Sequence, residues 1–371
     1  MLGLVRTVLA LMVMTYHLFF DKRPLGIYPV FGFYILSGYL MTLIMHENYG
    51  YTRQGRYSFI TNRFLRLYPQ YWVAAMISTA FIYLLGSKAV TNYHPSIFLP
   101  TNLFQSIENV LILFVAWYPS RVTPRLVPPT WALTVEIFFY ILICLGISKT
   151  FTRTKLWFSL SVLYVIGSFI LGFSWRDRYF PFAAASLPFA IGSSIYFLSK
   201  NEKVYSLYSK LRIHPMITFL LMLGNCLIFT RVVFNTLLSE VGFYINLGLC
   251  ALLVYSIVNG EKIVNISDVL DKKIGDFSYP IYLLHWQAGL LVSYLLYGKA
   301  FHELSLQGLV IWLASIIVVA LLSLIFIAIL DKPIQVIRSR IKSSRALKKA
   351  LPLNSNLHSL SAARQDNTAD P

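Results

Sequence analysis

Arg6 and His17 stand eleven positions apart in the first long apolar stretch of the sequence, MLGLVRTVLALMVMTYHLFF. An imidazole can act as a general base or a nucleophile, and a guanidinium can bind an anionic group. If the stretch is a helix, eleven residues at about 100° each complete about three turns and separate the two side chains by about 16 Å. The spacing therefore predicts one helix face that carries an imidazole at one depth and a guanidinium at another.

Glu136 is a further ionisable side chain inside an apolar stretch, five residues after Trp131. If that helix enters the membrane from the opposite side, Glu136 lies about 7 to 8 Å deep and can meet His17. A carboxylate there would orient the imidazole and stabilise the imidazolium. The alternative is a structural ion pair with Arg6 or another buried donor. A charge at mid-membrane costs about 2.5–3.5 kcal/mol, so either interpretation predicts a protein-lined or watery environment.

Three more ionisable residues fall in apolar stretches. His285 lies about 9 Å from the inner end of its stretch, so we expect it nearer to that end than His17. A hydrogen-bonded core histidine is an equally good interpretation of His285. His214 and Arg231 stand at the two ends of one stretch, where they are expected to anchor it at the membrane interface.

Arg63 and Arg66 belong to the segment NRFLRLYPQYW, residues 62–72. Residues three apart are neighbours on a helix, and the guanidinium group suits bidentate contact with phosphate. One hypothesis is that the pair binds a phosphorylated cytosolic molecule. The other is that the two arginines are ordinary positive charges flanking a span, which explains them equally well.

Ser37 in the segment LSGY invites comparison with a catalytic serine, but no G-x-S-x-G pattern surrounds it. We therefore expect Ser37 and Gly38 to serve helix packing. The sequence also lacks the H-E-x-x-H, P-loop and dinucleotide-binding patterns, so metal, nucleotide hydrolysis and dinucleotide chemistry have no support in it.

The composition indicates the setting in which these side chains act. Of 371 residues, 57% are apolar and only 13% are charged, against about 25% charged in soluble domains. The net charge of +17 therefore indicates basic loops that set membrane topology rather than binding to nucleic acid. Three cysteines in apolar stretches, without metal-type spacing, are expected to be buried packing residues. No cleavable signal peptide is expected.

The hydropathy pattern predicts an all-α, polytopic integral membrane protein. Ten spans are expected at about 2–20, 27–45, 70–86, 131–148, 156–173, 180–198, 213–231, 241–259, 279–297 and 306–330. One set of loops together with the tail holds 22 Lys and Arg residues and the other set holds eight, which predicts that both termini face the cytoplasm. The apolar segment 109–117 is too short to span and is expected to be interfacial or re-entrant.

The chain is expected to divide into a membrane domain, residues 1–335, and a tail, residues 336–371. The tail is basic and then polar, which predicts a segment at the membrane surface followed by disorder.

Taken together, the polar residues suit a long donor with an anionic head in the cytosol and a reactive acyl end inside the membrane. Coenzyme A thioesters have that shape. His17 would act as a general base on an acceptor hydroxyl or as a covalent acyl relay, and the sequence leaves both open.

Over nearly its whole length the sequence resembles the membrane-bound acyltransferase type 3 family, whose members acylate carbohydrates and related hydroxylated molecules. The likeness is carried by Arg6 with His17 and by the blocks FGFYILSGYLMT at 31–42, NRFLRLYPQYW at 62–72, WALTVEIFFY at 131–140 and YPIYLLHW at 279–286. Five such features in this order are fairly specific. Some relatives carry an added extracytoplasmic esterase-like domain. About 40 residues follow the last predicted span, so we expect the membrane part to finish the transfer alone or to pass the group to another protein.

The resemblance implies roles for individual residues. His17 is the implied catalytic residue, and Glu136 matches a recurrent acidic position that we also expect in catalysis. Arg6, Arg63 and Arg66 are expected to bind the donor. Trp131, Tyr282 and His285 are possible pocket residues, and no metal site is expected.

The resulting expectation is an O-acyltransferase in a bacterial inner membrane, with acyl-CoA, most simply acetyl-CoA, as co-substrate and no permanently bound cofactor. The acceptor would be a hydroxyl of a cell-surface or exported polysaccharide or glycolipid. Membrane lipid and glycan-assembly proteins are the expected partners, and nucleic acid is not. A transporter or exporter of a lipid-linked or hydrophobic solute is the alternative, since ten helices with few buried ionisable groups also suit that class.

Overall fold

The structure, a computed structural model, describes residues 1–211, 213–233, 236–339 and 341. Within these residues the chain is helical and contains no β-strand, which confirms the all-α prediction. Fourteen α-helices are seen there: α1 Leu2–Leu18, α2 Arg23–Ile44, α3 Arg53–Leu85, α4 Ser87–Tyr93, α5 Leu103–Leu111, α6 Trp131–Leu145, α7 Phe151–Ile170, α8 Phe182–Leu198, α9 Glu202–Leu211, α10 Pro215–Phe229, α11 Leu237–Val258, α12 Asp268–Asp276, α13 Ser278–Tyr297 and α14 Leu306–Phe326.

Each of the ten predicted spans coincides with one of these helices, but fewer are long and apolar enough to qualify as spans by themselves. Five qualify by length and composition: Arg23–Tyr49, Pro128–Leu145, Trp175–Leu198, Leu237–Val258 and Leu306–Ser339. The α9 and α10 pair, bent by 76°, would make a sixth, and Leu2–Leu18 is a shorter apolar helix. The protein is thus built for several membrane crossings, and the number ten stays a prediction.

The apolar segment 109–117 forms no helix of its own. The nine-residue helix α5 stops at Leu111, and Ile112 takes a left-handed conformation with φ 53°. Nine residues rise only about 14 Å, less than half of the hydrocarbon thickness. The segment thus forms no helix long enough to span, and its interfacial or re-entrant position stays a prediction.

Local sequence signals fix where several helices begin and end. Thr52, Thr150 and Ser305 accept hydrogen bonds at the starts of α3, α7 and α14 from backbone N–H groups three residues ahead. Gly146 and Gly298 follow α6 and α13 with positive φ, the conformation that terminates a helix most readily at glycine.

Helix α1, which carries Arg6 and His17, is held at its N-terminus by Asp271. The Asp271 carboxylate accepts hydrogen bonds from the backbone N–H groups of Gly3 (3.0 Å) and Leu4 (2.8 Å) and pairs with the terminal amine of Met1 at 3.1 Å. A carboxylate at this end satisfies free N–H groups and opposes the positive end of the helix dipole. Asp271 therefore fixes the depth of α1 relative to α12.

The close contact between α2 and α8 depends on two glycines. A Cβ at Gly38 would overlap the carbonyl of Phe189, and a Cβ at Gly192 would overlap the carbonyl of Ile35. Small residues let two helix backbones approach within the membrane, where dispersion contacts rather than the hydrophobic effect hold helices together. The packing role expected of Gly38 is confirmed.

Side-chain contacts join some members of each of the two sets that the charge count predicts. Glu47 pairs with Lys200, and Arg338 donates to Asn62 at 3.1 Å, so two loops of the basic set and the start of the tail share one end of the molecule. At the other end, the Tyr118 hydroxyl donates to Asp177 at 2.6 Å. Which end faces the cytoplasm stays a prediction from the charge count.

Two smaller predictions are also tested by the structure. Cys144, Cys226 and Cys250 are buried free thiols, as expected. His214 caps α10 by accepting from the Met216 N–H at 3.2 Å, at an exposed position that suits an interfacial residue. The last helical stretch continues to Ser339, into the segment assigned to the tail. Apart from residue 341, the tail beyond Ser339 lies outside the described residues.

Candidate active site

His17 and His285 form a hydrogen-bonded pair at the core of the site. Nδ1 of His17 lies 2.9 Å from Nε2 of His285, with nearly parallel rings whose centroids are 5.1 Å apart. The Trp286 ring packs 5.0 Å from the His17 ring. His285 is completely buried, whereas His17 lines a cavity, so His17 is the member of the pair that a substrate can reach.

The backbone determines the tautomers of the two rings. Nδ1 of His285 lies 3.2 Å from the carbonyl oxygen of Ile281, which can only accept, so this nitrogen carries a hydrogen. In the neutral ring Nε2 of His285 is then an acceptor, and Nδ1 of His17 donates to it. The free lone pair of His17 is consequently on Nε2, which has no hydrogen-bond partner among the described residues. His17 is held in the tautomer that a general base at Nε2 requires.

The expectation that His285 lies nearer the inner end than His17 is wrong. Thr7 of α1 donates to the carbonyl of Ile274 at 2.7 Å, so these two residues are level. His17 follows Thr7 by ten residues along α1. His285 follows Ile274 by eleven residues along α12 and α13. Helices that rise about 1.5 Å per residue bring the two histidines to the same depth.

The expected contact between Glu136 and His17 is not formed. Oε1 of Glu136 accepts from the Ser37 hydroxyl at 2.9 Å, and Oε2 accepts from the Tyr140 hydroxyl at 2.8 Å. The Tyr282 hydroxyl donates to the carbonyl of Pro129 at 3.0 Å, which places the start of α6 one turn inward of His285. Glu136 is seven residues, or about 10 Å, farther inward again, so it lies about 15 Å below the histidine pair. Ser37, expected only to pack, is thus a hydrogen-bond donor to this carboxylate.

Glu136 belongs to a cavity of about 130 Å³, which we call the inner cavity. The three arginines expected to bind the donor, Arg6, Arg63 and Arg66, all line it, together with Ser37, Tyr34, Tyr140, Tyr279 and Tyr282. Drug-sized ligands occupy pockets of about 300–1,000 Å³, so the inner cavity admits only a slender part of a large molecule.

Arg6 and Arg63 reach the inner cavity without a carboxylate partner among the described residues. Arg63 donates to the Asn62 amide oxygen at 2.8 Å and to the Met41 sulfur at 3.6 Å, while its Nε and the Nε of Arg6 are buried without any partner. A buried cationic donor without a partner is costly, and a bound anion would satisfy it.

Arg66 is in a different state, because Asp331 already neutralises it. Nη1 of Arg66 lies 3.3 and 3.2 Å from the two carboxylate oxygens of Asp331, and Gln70 donates to the same carboxylate at 2.5 Å. Asp331 ends the π-helical segment Ile327–Asp331 after α14. The end of this segment therefore contacts Arg66 in the wall of the inner cavity.

A second cavity of about 910 Å³, which we call the outer cavity, reaches the histidine pair at His17. His17 and Trp131 line it as expected, whereas His285 lines neither cavity and is not a pocket residue. Aromatic side chains and arginines make up much of the wall: Tyr16, Tyr118, Trp131, Trp175, Tyr179, Phe180, Tyr282, Arg23, Arg121, Arg176 and Arg178. The volume suits a ligand of several rings.

Val30 and Tyr282 are common to the walls of both cavities. The Tyr282 ring is fixed there by its hydrogen bond to Pro129 and by an edge contact with Phe33, at a centroid distance of 5.8 Å. The inner cavity with its arginines and the outer cavity with His17 therefore adjoin at one point.

Sequence reasoning missed several residues of the site. Tyr34 lines the inner cavity with a buried hydroxyl that has no partner, and Asp331 is nearly inaccessible. Arg121 and Arg176 had been counted only as loop charges. The sequence shows that Asp331 is a charged residue next to a predicted span. It does not show that Asp331 pairs with Arg66, which is 265 residues away.

Comparison with known proteins identifies the family of this chain. A family model described as an acyltransferase domain matches residues 2–328 of 371, which include every helix from α1 to α14. The comparison finds no matching curated protein and no matching solved structure. With the family model covering most of the sequence, the chain belongs to the acyltransferase 3 family and is a multi-pass integral membrane protein of an acyltransferase family.

Proposed function

We propose that this protein is an O-acyltransferase that takes an acyl group from cytosolic acyl-CoA and transfers it to a hydroxyl of a cell-surface or exported glycan, in a bacterial inner membrane. Acetyl-CoA is the donor that we expect, because the inner cavity is small. The family gives the reaction class, and the contact between the arginine-lined inner cavity and the outer cavity lined by His17 supports the direction of transfer.

The inner cavity would take the donor. Phosphates of the CoA head meet Arg6 and Arg63, whose guanidinium groups lack anionic partners among the described residues. The inner cavity admits the narrow acyl-pantetheine arm and leaves the nucleotide at its mouth. Glu136 accepts hydrogen bonds there, and we assign it to an amide N–H of the arm rather than to His17.

The outer cavity would take the acceptor. An acceptor hydroxyl in hydrogen-bond reach of Nε2 of His17 gives up its proton to that nitrogen, and its oxygen attacks the thioester carbonyl. The C–S bond then breaks, CoA leaves as the thiolate, and the imidazolium of His17 returns the proton to the sulfur. His285 accepts from Nδ1 of His17 throughout, so the imidazole keeps its orientation and tautomer.

The covalent alternative uses the same atom. Nε2 of His17 would attack the thioester, CoA would leave, and the acyl-imidazole would pass its acyl group to the acceptor hydroxyl. Trapping with acyl-CoA in the absence of acceptor distinguishes the two routes, because only the relay leaves an acyl increment on the peptide that contains His17.

The observation that carries the proposal is that the large cavity lined by His17 shares Val30 and Tyr282 in its wall with the small arginine-lined cavity, so the two cavities adjoin. A transporter of a hydrophobic solute needs no such histidine in a fixed tautomer, and the family assignment favours the enzyme.

The proposal is tested by comparing glycans from cells with and without the gene by mass spectrometry. We expect an acyl increment on one glycan that disappears with the gene and returns with the wild-type copy. Identical glycan masses in the two strains, together with solute movement by the purified protein in vesicles that lack acyl-CoA, would support the transporter instead.

A further inference from the structure

We infer that the acceptor is an acidic glycan, one whose sugar bears a carboxylate or a phosphate group, and that Arg121 and Arg176 at the outer cavity recognise the negative charge. This inference rests on the proposed function, because it names the substrate class of the same site.

The charge of the outer cavity wall is one-sided. Among the described residues, four arginines line the cavity and Glu240 is the only carboxylate in its wall. Glu240 is already engaged, since its two oxygens accept from Arg178 at 2.6 and 2.5 Å. The remaining wall therefore carries an excess of positive charge, and a cavity with one sign of charge concentrates ligands of the opposite sign.

Arg121 and Arg176 are placed to act on a ligand. Both are exposed, and neither forms an ion pair among the described residues. The Arg121 guanidinium lies 4.8 Å from the centroid of the Tyr118 ring, a contact that holds it in place without neutralising it. A guanidinium offers paired donors that fit a carboxylate or a phosphate.

Asp177, an acidic residue of the same loops, is not one of the residues that line the cavity. Asp177 accepts from Trp117 (3.1 Å), Tyr118 (2.6 Å) and Ser174 (2.7 Å). The carboxylate is thus committed to joining two loops.

The rest of the wall fits a sugar. Trp131 and Trp175 are half-buried, and Tyr179 packs 4.7 Å from the Trp175 ring. Flat aromatic faces bury the apolar side of a ring while leaving its hydroxyl groups to polar neighbours. With His17 in the same cavity, an anchored acidic sugar can present a hydroxyl to Nε2.

Binding to the purified full-length protein tests the inference without any acyl-CoA. Trp131 and Trp175 in the wall serve as fluorescent reporters. Two pairs of probes are compared: trigalacturonic acid with its methyl ester, and glucose 1-phosphate with glucose. The members of each pair differ in charge. The first pair tests recognition of a carboxylate and the second tests recognition of a phosphate. We expect one charged probe to bind at least tenfold more tightly than its neutral counterpart, by a margin that shrinks with added salt.

Arg121→Gln combined with Arg176→Gln should reduce affinity for the charged probe at least tenfold and leave the neutral probe unaffected. Lys88→Gln combined with Lys299→Gln removes the same charge from exposed positions outside the cavity wall and should change neither. Equal affinity for charged and neutral probes, no binding of any probe, or an undiminished preference in the double arginine variant would overturn the inference.

The outcome is separable from that of the proposed function. A charge preference in binding with no acyl transfer to any acceptor would leave the anion site standing and reject the enzyme assignment. Acyl transfer that proceeds equally well to neutral and acidic acceptors would keep the enzyme and reject the acidic substrate class.

Discussion

His17 and His285 meet through Nδ1 and Nε2 at 2.9 Å, and the second histidine is itself held by the carbonyl of Ile281. His17 lines the outer cavity, whereas His285 is completely buried. Because the buried, neutral His285 orients the accessible imidazole of His17, we assign His285 the role of a positioning residue.

Replacing His285 with phenylalanine should lower kcat about 10²- to 10⁴-fold, because Nδ1 of His17 loses its acceptor and the ring can adopt the wrong tautomer. The KM for acyl-CoA should change little, since His285 lines neither cavity. His285→Gln, which keeps an acceptor, should recover part of the rate. Steady-state kinetics of the wild type, His285→Phe and His285→Gln, giving kcat and KM for each, provides the check. His46, which contacts the carbonyl of Ser148 and lines neither cavity, offers the control His46→Gln. A raised KM with unchanged kcat would contradict the positioning role.

The inner-cavity arginines should differ in their effect on donor affinity. A charge-assisted hydrogen bond contributes about 1.5–3 kcal/mol, so Arg63→Gln should raise the KM for acyl-CoA roughly ten- to hundredfold. Arg66→Gln should have a smaller effect, because Asp331 already occupies that guanidinium. Arg53→Gln, at an exposed position on the same helix, should have none. If the KM for acyl-CoA is unchanged in the Arg63 variant, Arg63 and Arg66 are charges that set membrane topology and do not bind the donor.

Tyr34→Phe tests whether the unpartnered hydroxyl of Tyr34 serves a ligand. Removing a buried group that has no hydrogen bond leaves stability unchanged or raises it. If the hydroxyl donates to an oxygen of the bound thioester, the turnover should nevertheless fall about tenfold or more. The melting temperature and the acyl-transfer rate, measured on one preparation, decide between these outcomes. An unchanged rate would assign the hydroxyl no role in the reaction.

Two ion pairs should contribute very differently to stability. Arg178 and Glu240 are each about 10% exposed and joined by two hydrogen bonds, so Glu240→Gln should destabilise the protein by about 3–5 kcal/mol. Lys200 and Glu47 are about half exposed, so Lys200→Gln should change stability by at most about 1 kcal/mol. Thermal unfolding in detergent, which compares both variants with the wild type, measures the difference. Similar shifts in the two variants would contradict it.

Helical periodicity was sufficient to predict the face of α1. Arg6 and His17, assigned to one side from their spacing, line the inner and outer cavities respectively. The length of each apolar stretch was likewise sufficient to predict a helix there. Backbone groups in lipid must form hydrogen bonds within their own segment, so local composition decides the structure.

The vertical register between helices was not predictable. The errors at Glu136 and His285 have one cause, which is that counting from the end of an apolar stretch assumes that all stretches begin at the same depth. The short helix α12, pressed against the start of α1 through Gly3 and Gly275, displaces α13 outward. The hydrogen bond between Tyr282 and Pro129 sets α6 in the same way. These offsets arise from contacts between residues more than 100 positions apart.

The most direct test of the account uses His17→Ala. Purified wild-type and variant proteins in vesicles are supplied with isotopically labelled acetyl-CoA and an acceptor glycan, and the acylated product is measured alongside membrane insertion and melting temperature. The account predicts a variant that inserts and folds like the wild type, binds acyl-CoA with unchanged affinity and forms no labelled product above background. Labelled product at the wild-type rate from the alanine variant would contradict it.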